Sequence, residues 1–431
     1  MKRSQLLPFV YIDRDHYAKA HLNYPPLHPR LKITLAIILL AGGILLIGRG
    51  FEAGGRRLSD FAGYYTSSWV LRHEPNPGRM YDDSAFVASI RSLGMPDTMM
   101  IMYVNPPPVA IVTMPFTDLN PPDAKIAFSI LNLLLLAGAC IMGIKYFGIA
   151  PGGGYALIFV ALTVLTIPAL RNLEKGQLYV LMLLLVLFVL YGVKSRAPWI
   201  SGASLAALLL LKYFGWMFLV AFVVIGRWKD AIIAIALCAL ITGGMIAIWG
   251  SDLYLQHLER LYASFASFDV ASTHLPSVPA LIEGLFVRRE MYNPFPVADI
   301  PVLAGMIIVG TLVAALSVTL RIECAISPER MLAAILALSV IYTPLAGDHH
   351  YILLVPAVWI LIFSSDDIRP HRLFALAAIT YALFGWFPQI PDHPLHGISQ
   401  LLIYPRLYGG IALWALLLTG ASSGRPESSV R

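Results

Sequence analysis

Long uninterrupted runs of apolar residues recur along the whole chain. Ile33–Gly48, Leu178–Val193 and Ala231–Trp249 contain no Asp, Glu, Lys, Arg or His. Runs of this length match the hydrocarbon layer of a bilayer, roughly 30 Å thick, better than they match a buried helix of a soluble protein. The pattern predicts an all-α fold, a polytopic bundle of transmembrane helices.

About twelve segments of this kind are predicted to be spans. Their limits are 33–49, 123–145, 153–171, 176–193, 197–211, 213–226, 230–250, 301–320, 330–346, 350–364, 372–388 and 399–419. The fifth and sixth spans are short for an upright crossing, so we interpret them as a packed pair of tilted or half-depth helices. Lys212 lies at the turn between them.

The positions of the basic residues predict the orientation of these spans. Residues 1–32 contain six Lys or Arg and two Asp, directly before the first apolar run. Basic residues also occupy the short connections Lys194–Arg196, Arg227–Lys229, Arg321–Arg330 and Asp366–Arg372. Short loops rich in Lys and Arg remain in the cytoplasm. Both tails, 1–32 and 421–431, are therefore predicted to be cytoplasmic, with a single transmembrane domain over 33–420 between them.

Two long connections, 50–122 and 251–300, are predicted to lie outside, and the first is expected to contain amphipathic helices. It also contains the apolar segment 99–117, which is interrupted by Pro106–Pro108. Successive prolines remove backbone donors and clash with the preceding turn. We therefore interpret this segment as a re-entrant or interfacial element. A thirteenth span is the alternative, and it would reverse the orientation of every later loop.

The composition agrees with a membrane protein and argues against several classes of soluble enzyme. Hydrophobic residues make up 58% of the 431 positions and charged residues 13%, whereas soluble domains carry about 25% charged residues. The net charge of +6 lies mostly at helix ends and in loops, where it indicates orientation rather than a nucleic-acid partner. The sequence lacks the motifs GxxxxGKS/T, GxSxG and HExxH of nucleotide-binding proteins, serine hydrolases and zinc proteases.

The predicted topology collects polar and ionisable residues on the outer side of the bundle. Such residues are energetically expensive at membrane depth and often mark functional sites. The residues collected there are Asp60, Tyr64, Tyr65, Arg72, His73, Tyr103, Asn105, Asn172, Glu174, Lys175, Gln177, Lys212, Asp348, His349 and His350. Their asymmetric distribution predicts an active or binding cavity that opens outward.

Asp60 is the most distinctive of these residues, because it follows the first span closely and precedes Tyr64 and Tyr65. A carboxylate at this place can act as a general base that takes a proton from an attacking hydroxyl. The alternative is a structural role, in which Ser59 or Asp60 caps the N-terminus of the following helix.

The other candidates also have two interpretations each. Asp348–His350 can hold a phosphate by charge-assisted hydrogen bonds, bind a metal, or form a polar cap at the end of a span. Lys212 can meet a lipid phosphate or extend to the interface without a function. Gln177, which follows Gly176, can bring amide donors to a ligand or simply begin a helix.

The order of these residues resembles that of a known family. After the first span come Asp60, Tyr64–Tyr65, Met80–Asp82, Tyr103–Pro107, Met114–Phe116, Asn132, Gly176–Gln177 and Lys212. In this order the chain resembles glycosyltransferase family 87, within the GT-C class of membrane glycosyltransferases. The resemblance extends over roughly residues 33–365.

The resemblance implies a GT-C fold and an inverting enzyme that transfers a hexose or pentose, with mannose expected, from a polyprenyl-phosphate-sugar donor. It implies a catalytic aspartate in the first outer loop, which is Asp60 here. The residues then expected to bind the donor phosphate are Lys212, His349, His350 and Arg72. Those expected to bind the substrates are Tyr64, Tyr65, Asn105, Gln177 and Asp348.

The implied acceptor is a glycan or glycolipid of the cell envelope, and the implied location is the outer face of a bacterial inner membrane. No cofactor is expected to be required, and no nucleic acid is expected as a partner. Whether a divalent metal takes part remains open, although no set of ligands for one stands out in the sequence.

Two other functions remain open at this point. A transporter or a lipid-linked-sugar flippase also carries polar residues in its helices, although the chain shows no inverted repeat of broken helices. A non-catalytic subunit, or a ligase of the O-antigen type, would use a large outer loop late in the chain. The basic and imidazole residues of the 251–300 connection available for that purpose are Arg260, His274, Arg288 and Arg289.

Overall fold

The computed structural model describes residues 28–56, 58–95, 104–267, 275–290, 293–321, 326–363, 370–387 and 397–419. Most of the predicted N-terminal tail, the whole C-terminal tail, Tyr103 and His274 lie outside the described residues. Within the described ranges the regular structure is helical, apart from one isolated antiparallel bridge between Arg289 and Asn293. This confirms the all-α prediction.

The α-helices follow one another through short connections. The first nine are α1 (Pro29–Arg56), α2 (Ser59–His73), α3 (Asp83–Ser92), α4 (Pro108–Thr113), α5 (Pro121–Phe147), α6 (Gly154–Val164), α7 (Ile167–Lys175), α8 (Tyr179–Lys194) and α9 (Pro198–Lys212). The others are α10 (Trp216–Val224), α11 (Trp228–Trp249), α12 (Asp252–Ser267), α13 (Val278–Phe286), α14 (Pro301–Arg321), α15 (Pro328–Ile341), α16 (Val355–Phe363), α17 (Pro370–Gly385) and α18 (Pro405–Leu418). Short 3-10 helices cover Pro77–Tyr81, Met114–Phe116, Asp348–Leu354 and Gly397–Leu402.

Several helices begin with proline in the first turn and a capping side chain just before it. Asn120, Thr166, Ser277 and Ser327 each accept a hydrogen bond from a backbone N–H in the first turn of α5, α7, α13 and α15. Proline has no N–H to leave unpaired there, and the capping oxygen satisfies one of the free donors. The local sequence therefore determines where these helices start.

Helices α1, α5, α11 and α14 are long and apolar enough to cross a membrane. Helices α6 and α7 pass the same test together, but they are bent by 51° at the break between them. Shorter apolar helices, among them α8, α9 and α18, occupy the other predicted spans. These helices confirm a polytopic membrane protein, and the count of twelve crossings stays a prediction.

The predicted interruption at Lys212 is present. Helix α9 has 15 residues and α10 has 9, so at 1.5 Å per residue they are about 22 Å and about 14 Å long. Tyr213, directly after Lys212, has a left-handed φ of 52°, which ends α9. Each helix is too short to cross a bilayer upright, as the sequence predicted.

The described part of the proline-rich segment does not form a long helix. Residues 108–113 form the six-residue helix α4, followed by a 3-10 turn. Six helical residues extend about 9 Å, far less than a bilayer needs. Pro108, Val109, Ala110 and Thr113 are buried in protein. The interpretation as a non-spanning element therefore agrees with residues 104–117, whereas 99–103 lie outside the described residues.

The helices divide into a buried centre and an exposed periphery. Only 6%, 17% and 11% of the apolar stretches of α1, α11 and α14 are buried, compared with 44% for α5. Every residue from Arg330 to Ile341 in α15 is buried. The Arg330 guanidinium donates to the carbonyl oxygens of Leu416 and Leu417 at the end of α18, where unpaired carbonyls favour a cation. The peripheral helices expose apolar surface of the kind that lipid covers.

Candidate active site

Asp60 lies in the first turn of α2 and points toward the end of α7. Its Oδ2 accepts a hydrogen bond from Nε2 of Gln177 at 2.5 Å, and its side chain is 29% exposed. Among the described residues, the other carboxylate oxygen, Oδ1, has no hydrogen-bond partner. The start of α2 has no side-chain cap. The carboxylate therefore does not cap its helix, which was the alternative role.

The residue before Asp60 has an unusual backbone conformation. Ser59 has a φ of 46°, in the left-handed region that a serine adopts at a cost of about 1–3 kcal/mol. This conformation turns the chain directly into α2. It places Asp60 at the helix start, next to α7.

Gln177 is held in place by the way α7 ends. The N–H groups of Gly176 and Gln177 donate to the carbonyls of Leu173 and Asn172, which is the pattern of a Schellman motif. Gly176 has a φ of 64°, and a Cβ there would lie 2.8 Å from Cβ of Phe61. Glycine is therefore required by both the backbone conformation and the space.

Two contacts from α5 support the same turn. Nδ2 of Asn132 donates to the backbone oxygen of Gln177 at 3.3 Å, and Nζ of Lys125 donates to that of Glu174 at 3.0 Å. The Lys125 side chain is fully buried and lies over the Phe61 ring. Sequence reasoning did not select Lys125. The signal for it is an ionisable residue one turn into an apolar span, on the same helix face as Asn132.

Lys212 reaches the same site from the end of α9. Its ammonium group donates a hydrogen bond to Oδ1 of Asn105. It lies 5.3 Å from the centroid of the Tyr64 ring and 5.7 Å from that of Tyr179. Aromatic faces stabilise a cation at these distances. The structure therefore brings Lys212, Asn105 and Tyr64 together, as expected from the sequence, and adds Tyr179, which was not selected.

A second layer of side chains lies behind Lys212 and Asn105. The carbonyl of Asn105 accepts a hydrogen bond from the Tyr81 hydroxyl at 2.8 Å. The Tyr81 ring lies 4.9 Å from the ring of His257, whose Nε2 is 2.8 Å from the Tyr213 hydroxyl. Burial lowers the pKa of His257 to about 4, so this imidazole is neutral near pH 7. This layer connects α12 to the turn after Lys212.

The histidine pair packs against the tyrosine of α8. Nδ1 of His350 is 3.1 Å from the Gly347 carbonyl, which can only accept, so Nδ1 carries the proton. Nε2 then accepts from the Tyr179 hydroxyl at 2.5 Å. The His349 ring lies 4.5 Å from the His350 ring, and the His349 carbonyl accepts from Asn172. Tyr179 thus contacts both the histidine pair and Lys212. With its single ring proton on Nδ1, the His350 imidazole is uncharged.

Three other selected residues have partners outside this group. Asp348 forms an ion pair with Arg406, with 3.1 Å between Oδ1 and Nε. Arg72 is paired with Asp118 at 2.7 Å and, twelve residues along α2, is about 18 Å from Asp60. The Tyr65 hydroxyl donates to the Leu119 carbonyl at 2.7 Å. The structure does not place these three side chains in contact with Asp60, Gln177 or Lys212, and their expected roles stay predictions.

The charges around Asp60 are mainly positive. Nζ of Lys175 is 4.0 Å from Oδ2 of Asp60, and Lys125 and Lys212 are near enough to interact electrostatically with the same carboxylate. Three lysine side chains therefore lie near one partly exposed carboxylate, an arrangement that favours an anionic ligand. Among the described residues, no group of three His, Cys, Asp or Glu side chains is placed to hold a metal ion.

The fold and this site define an all-α polytopic membrane protein with a carboxylate and a lysine group at one end of its bundle. The sequence profile of glycosyltransferase family 87 matches residues 103–347, more than half of the chain. The chain therefore belongs to glycosyltransferase family 87, as the resemblance implied, and it is a membrane glycosyltransferase. Asp60 and Tyr64 precede the matched residues and meet Gln177 and Lys212 only in the folded chain.

One curated relative is similar over most of both chains. The polyprenol-phosphate-mannose-dependent alpha-(1-2)-phosphatidylinositol mannoside mannosyltransferase of Mycobacterium tuberculosis (strain ATCC 25618 / H37Rv) is 23% identical over 331 residues. The match covers 72% of this chain and 74% of the relative. No solved structure matches the chain.

Proposed function

We propose that the protein transfers a sugar from a polyprenyl-phosphate donor to a glycan or glycolipid of the cell envelope, with inversion at the anomeric carbon. The observation that carries this proposal is the Asp60 carboxylate. One of its oxygens is left without a hydrogen-bond partner among the described residues, and lysines surround it. A base beside a cationic group is what such a transfer requires.

The proposed reaction is a single displacement. Asp60 takes the proton of the acceptor hydroxyl through Oδ1, and the hydroxyl oxygen forms a bond to the anomeric carbon. The bond between that carbon and the phosphate oxygen breaks, and polyprenyl phosphate leaves with the electron pair. Attack from the face opposite the phosphate inverts the configuration. A positioned general base contributes about 100- to 10,000-fold to such a step.

Lys212 is the proposed ligand of the donor phosphate. Neutralising the phosphate charge makes polyprenyl phosphate a better leaving group. Lys212 ends a short apolar helix beside Tyr64 and Tyr179, so a lipid-linked phosphate would meet it at the end of the bundle. His349 and His350 are proposed to line the same place beside Tyr179. Both ring nitrogens of His350 are taken by Gly347 and Tyr179, so a hydrogen bond to the phosphate would come from the His349 ring.

Mannose and a lipid-linked acceptor are proposed by analogy with the mycobacterial relative. Its name specifies a polyprenol-phosphate-mannose donor and a phosphatidylinositol mannoside acceptor. The extracytoplasmic face of a bacterial inner membrane is proposed for the reaction, because the basic short loops are predicted at the opposite ends of the spans and such loops stay in the cytoplasm. A nucleotide-sugar donor is not proposed, because polyprenyl phosphate is already an adequate leaving group when its charge is neutralised.

The test is a transfer assay with purified protein in lipid vesicles. Labelled polyprenyl-phosphate mannose, polyprenyl-phosphate arabinofuranose and GDP-mannose are offered separately, with phosphatidylinositol mannosides as acceptors. We expect transfer from a polyprenyl-phosphate sugar, none from GDP-mannose, and a loss of about 100-fold or more in Asp60→Asn. Asp83→Asn is the matched control, because Asp83 is a half-exposed residue paired with Arg260. Equal transfer by Asp60→Asn and wild type would refute the base role.

A further inference from the structure

Gln177 has both ends of its side-chain amide occupied by protein. Its Nε2 donates to Oδ2 of Asp60 at 2.5 Å, and its Oε1 accepts from the Tyr64 hydroxyl at 2.6 Å. The side chain is buried. An amide satisfied in this way has little capacity left for a sugar, although the sequence suggested a substrate ligand.

We propose that Gln177 is a positioning residue that holds the Asp60 carboxylate, and that Tyr64 sets the orientation of the Gln177 amide. The inference rests on the proposed base role of Asp60 and extends it to the residues behind the base. Gln177 and the hydroxyl of Tyr64, which the sequence suggested as substrate ligands, thus align Asp60 instead.

The orientation of the amide follows from its two neighbours. A carboxylate can only accept, so it must face the NH₂ end of the amide. The Tyr64 hydroxyl can donate, so it faces the oxygen. Turning the amide over would place Oε1 against Oδ2 of Asp60 and leave two oxygens in repulsive contact. Tyr64 therefore stabilises the one orientation in which Gln177 donates to Asp60.

The main chain of Gln177 is held as firmly as its amide. Gly176 before it occupies a left-handed conformation with no space for a Cβ, and Asn132 donates to the carbonyl of Gln177. With Oδ2 held by Gln177, the Asp60 carboxylate cannot rotate freely. Oδ1 is then the oxygen that remains to receive the acceptor proton.

The decisive experiment is the pH dependence of kcat in Gln177→Glu, a change of almost no volume. A second carboxylate beside Asp60 disfavours ionisation of both, so the two groups titrate as a pair. We expect kcat to fall at least about tenfold at neutral pH and the acidic limb of the kcat profile to move up by about one pH unit or more. KM for the sugar donor is expected to change less than about twofold. Gln177→Met, which is neutral, should shift the limb in the same direction by a smaller amount.

A double-mutant cycle tests the role assigned to Tyr64. Tyr64→Phe retains the ring that faces Lys212 and removes only the hydroxyl, so we expect kcat to fall about three- to tenfold. In a Gln177→Met background the same change should have almost no further effect, because the amide it orients is gone. If the losses of the two single variants multiply in the double variant, Tyr64 acts independently of Gln177. That result would overturn the role of Tyr64 in orienting the Gln177 amide.

Two matched controls exclude general effects of the substitutions. Gln400→Glu places a carboxylate at another buried glutamine, whose amide donates to Asn293, and Tyr408→Phe removes a hydroxyl that donates to the Leu401 carbonyl. Neither should move the acidic limb for the folded enzyme. An unchanged limb in both Gln177 variants, with Asp60→Asn inactive, would overturn the positioning role alone. An active Asp60→Asn variant would instead overturn the proposed base role of Asp60, on which the positioning role rests.

Discussion

The ammonium group of Lys212 donates a hydrogen bond to the side-chain oxygen of Asn105, which lies 107 positions earlier in the chain. This contact joins the end of α9 to the segment before α4. It holds the ammonium group near the rings of Tyr64 and Tyr179, and thus near the base that Tyr64 supports. The proposed phosphate ligand is therefore positioned by parts of the chain on both sides of α5.

Lys212→Met tests the phosphate contact. The substitution retains the apolar stem and removes the charge, so we expect kcat/KM for the polyprenyl-phosphate sugar to fall at least about tenfold. Transfer kinetics at fixed acceptor concentration measure the effect. Lys229→Met, at an exposed lysine of α11, is the control and should retain wild-type kinetics. Equal values for the two variants would contradict the assignment.

Gly176→Ala tests the tight turn that carries Gln177. The added Cβ would meet Cβ of Phe61 at 2.8 Å and Nζ of Lys125 at 2.5 Å, on a backbone with φ 64°. Gly226→Ala is the matched control, because Gly226 has φ 70° and open space at the Cβ position. Both changes cost the left-handed penalty of about 1–2 kcal/mol, and only the first adds steric overlap. We expect Gly176→Ala to lower both the unfolding temperature in detergent and kcat more than Gly226→Ala does. Similar effects of the two would show that space at Gly176 is not limiting.

Tyr179→Phe tests the buried hydrogen bond to His350. The ring and its packing remain, but Nε2 of His350 loses its partner, which costs about 1–3 kcal/mol for a buried acceptor. Thermal unfolding should therefore occur at a lower temperature than in wild type. Tyr262→Phe, at a side chain that is 80% exposed, should leave the transition unchanged. An unaltered transition in Tyr179→Phe would mean that the imidazole finds another partner.

His257 predicts a pH dependence of stability. Burial lowers its pKa from 6.5 to about 4 in the folded state, so the unfolded chain binds the proton first as the pH falls. The corresponding stability is complete above pH 6.5 and is lost progressively toward pH 4, amounting to about 3 kcal/mol.

Unfolding temperatures measured from pH 8 to pH 4 provide the test of His257. His257→Phe should weaken the decline with falling pH, whereas His73→Phe, at an exposed histidine, should retain it. An identical decline in wild type and His257→Phe would place the pH-sensitive group elsewhere.

Part of this site was accessible from the sequence. Asp60, Tyr64, Asn105, Gln177 and Lys212 were all selected because the predicted topology places these polar residues on the outer side, and they lie together in the folded chain. Their individual roles stay predictions, and the contact between Gln177 and Asp60 was not expected from the sequence. Lys125 and Tyr179 were missed, because each lies inside or beside an apolar span and looks like an ordinary helix residue.

The sequence by itself determined the class of protein and the approximate positions of most of its apolar helices. Apolar runs must be helical in a bilayer because no water is present to satisfy the backbone, and prolines, caps and left-handed residues mark the ends. Only the tertiary structure decided which polar side chains meet. Asp60 and Gln177 are 117 positions apart, and Asp348 meets Arg406 instead of joining them. Helix packing determines such pairings, and the local periodicity of the sequence carries no information about which distant residues meet.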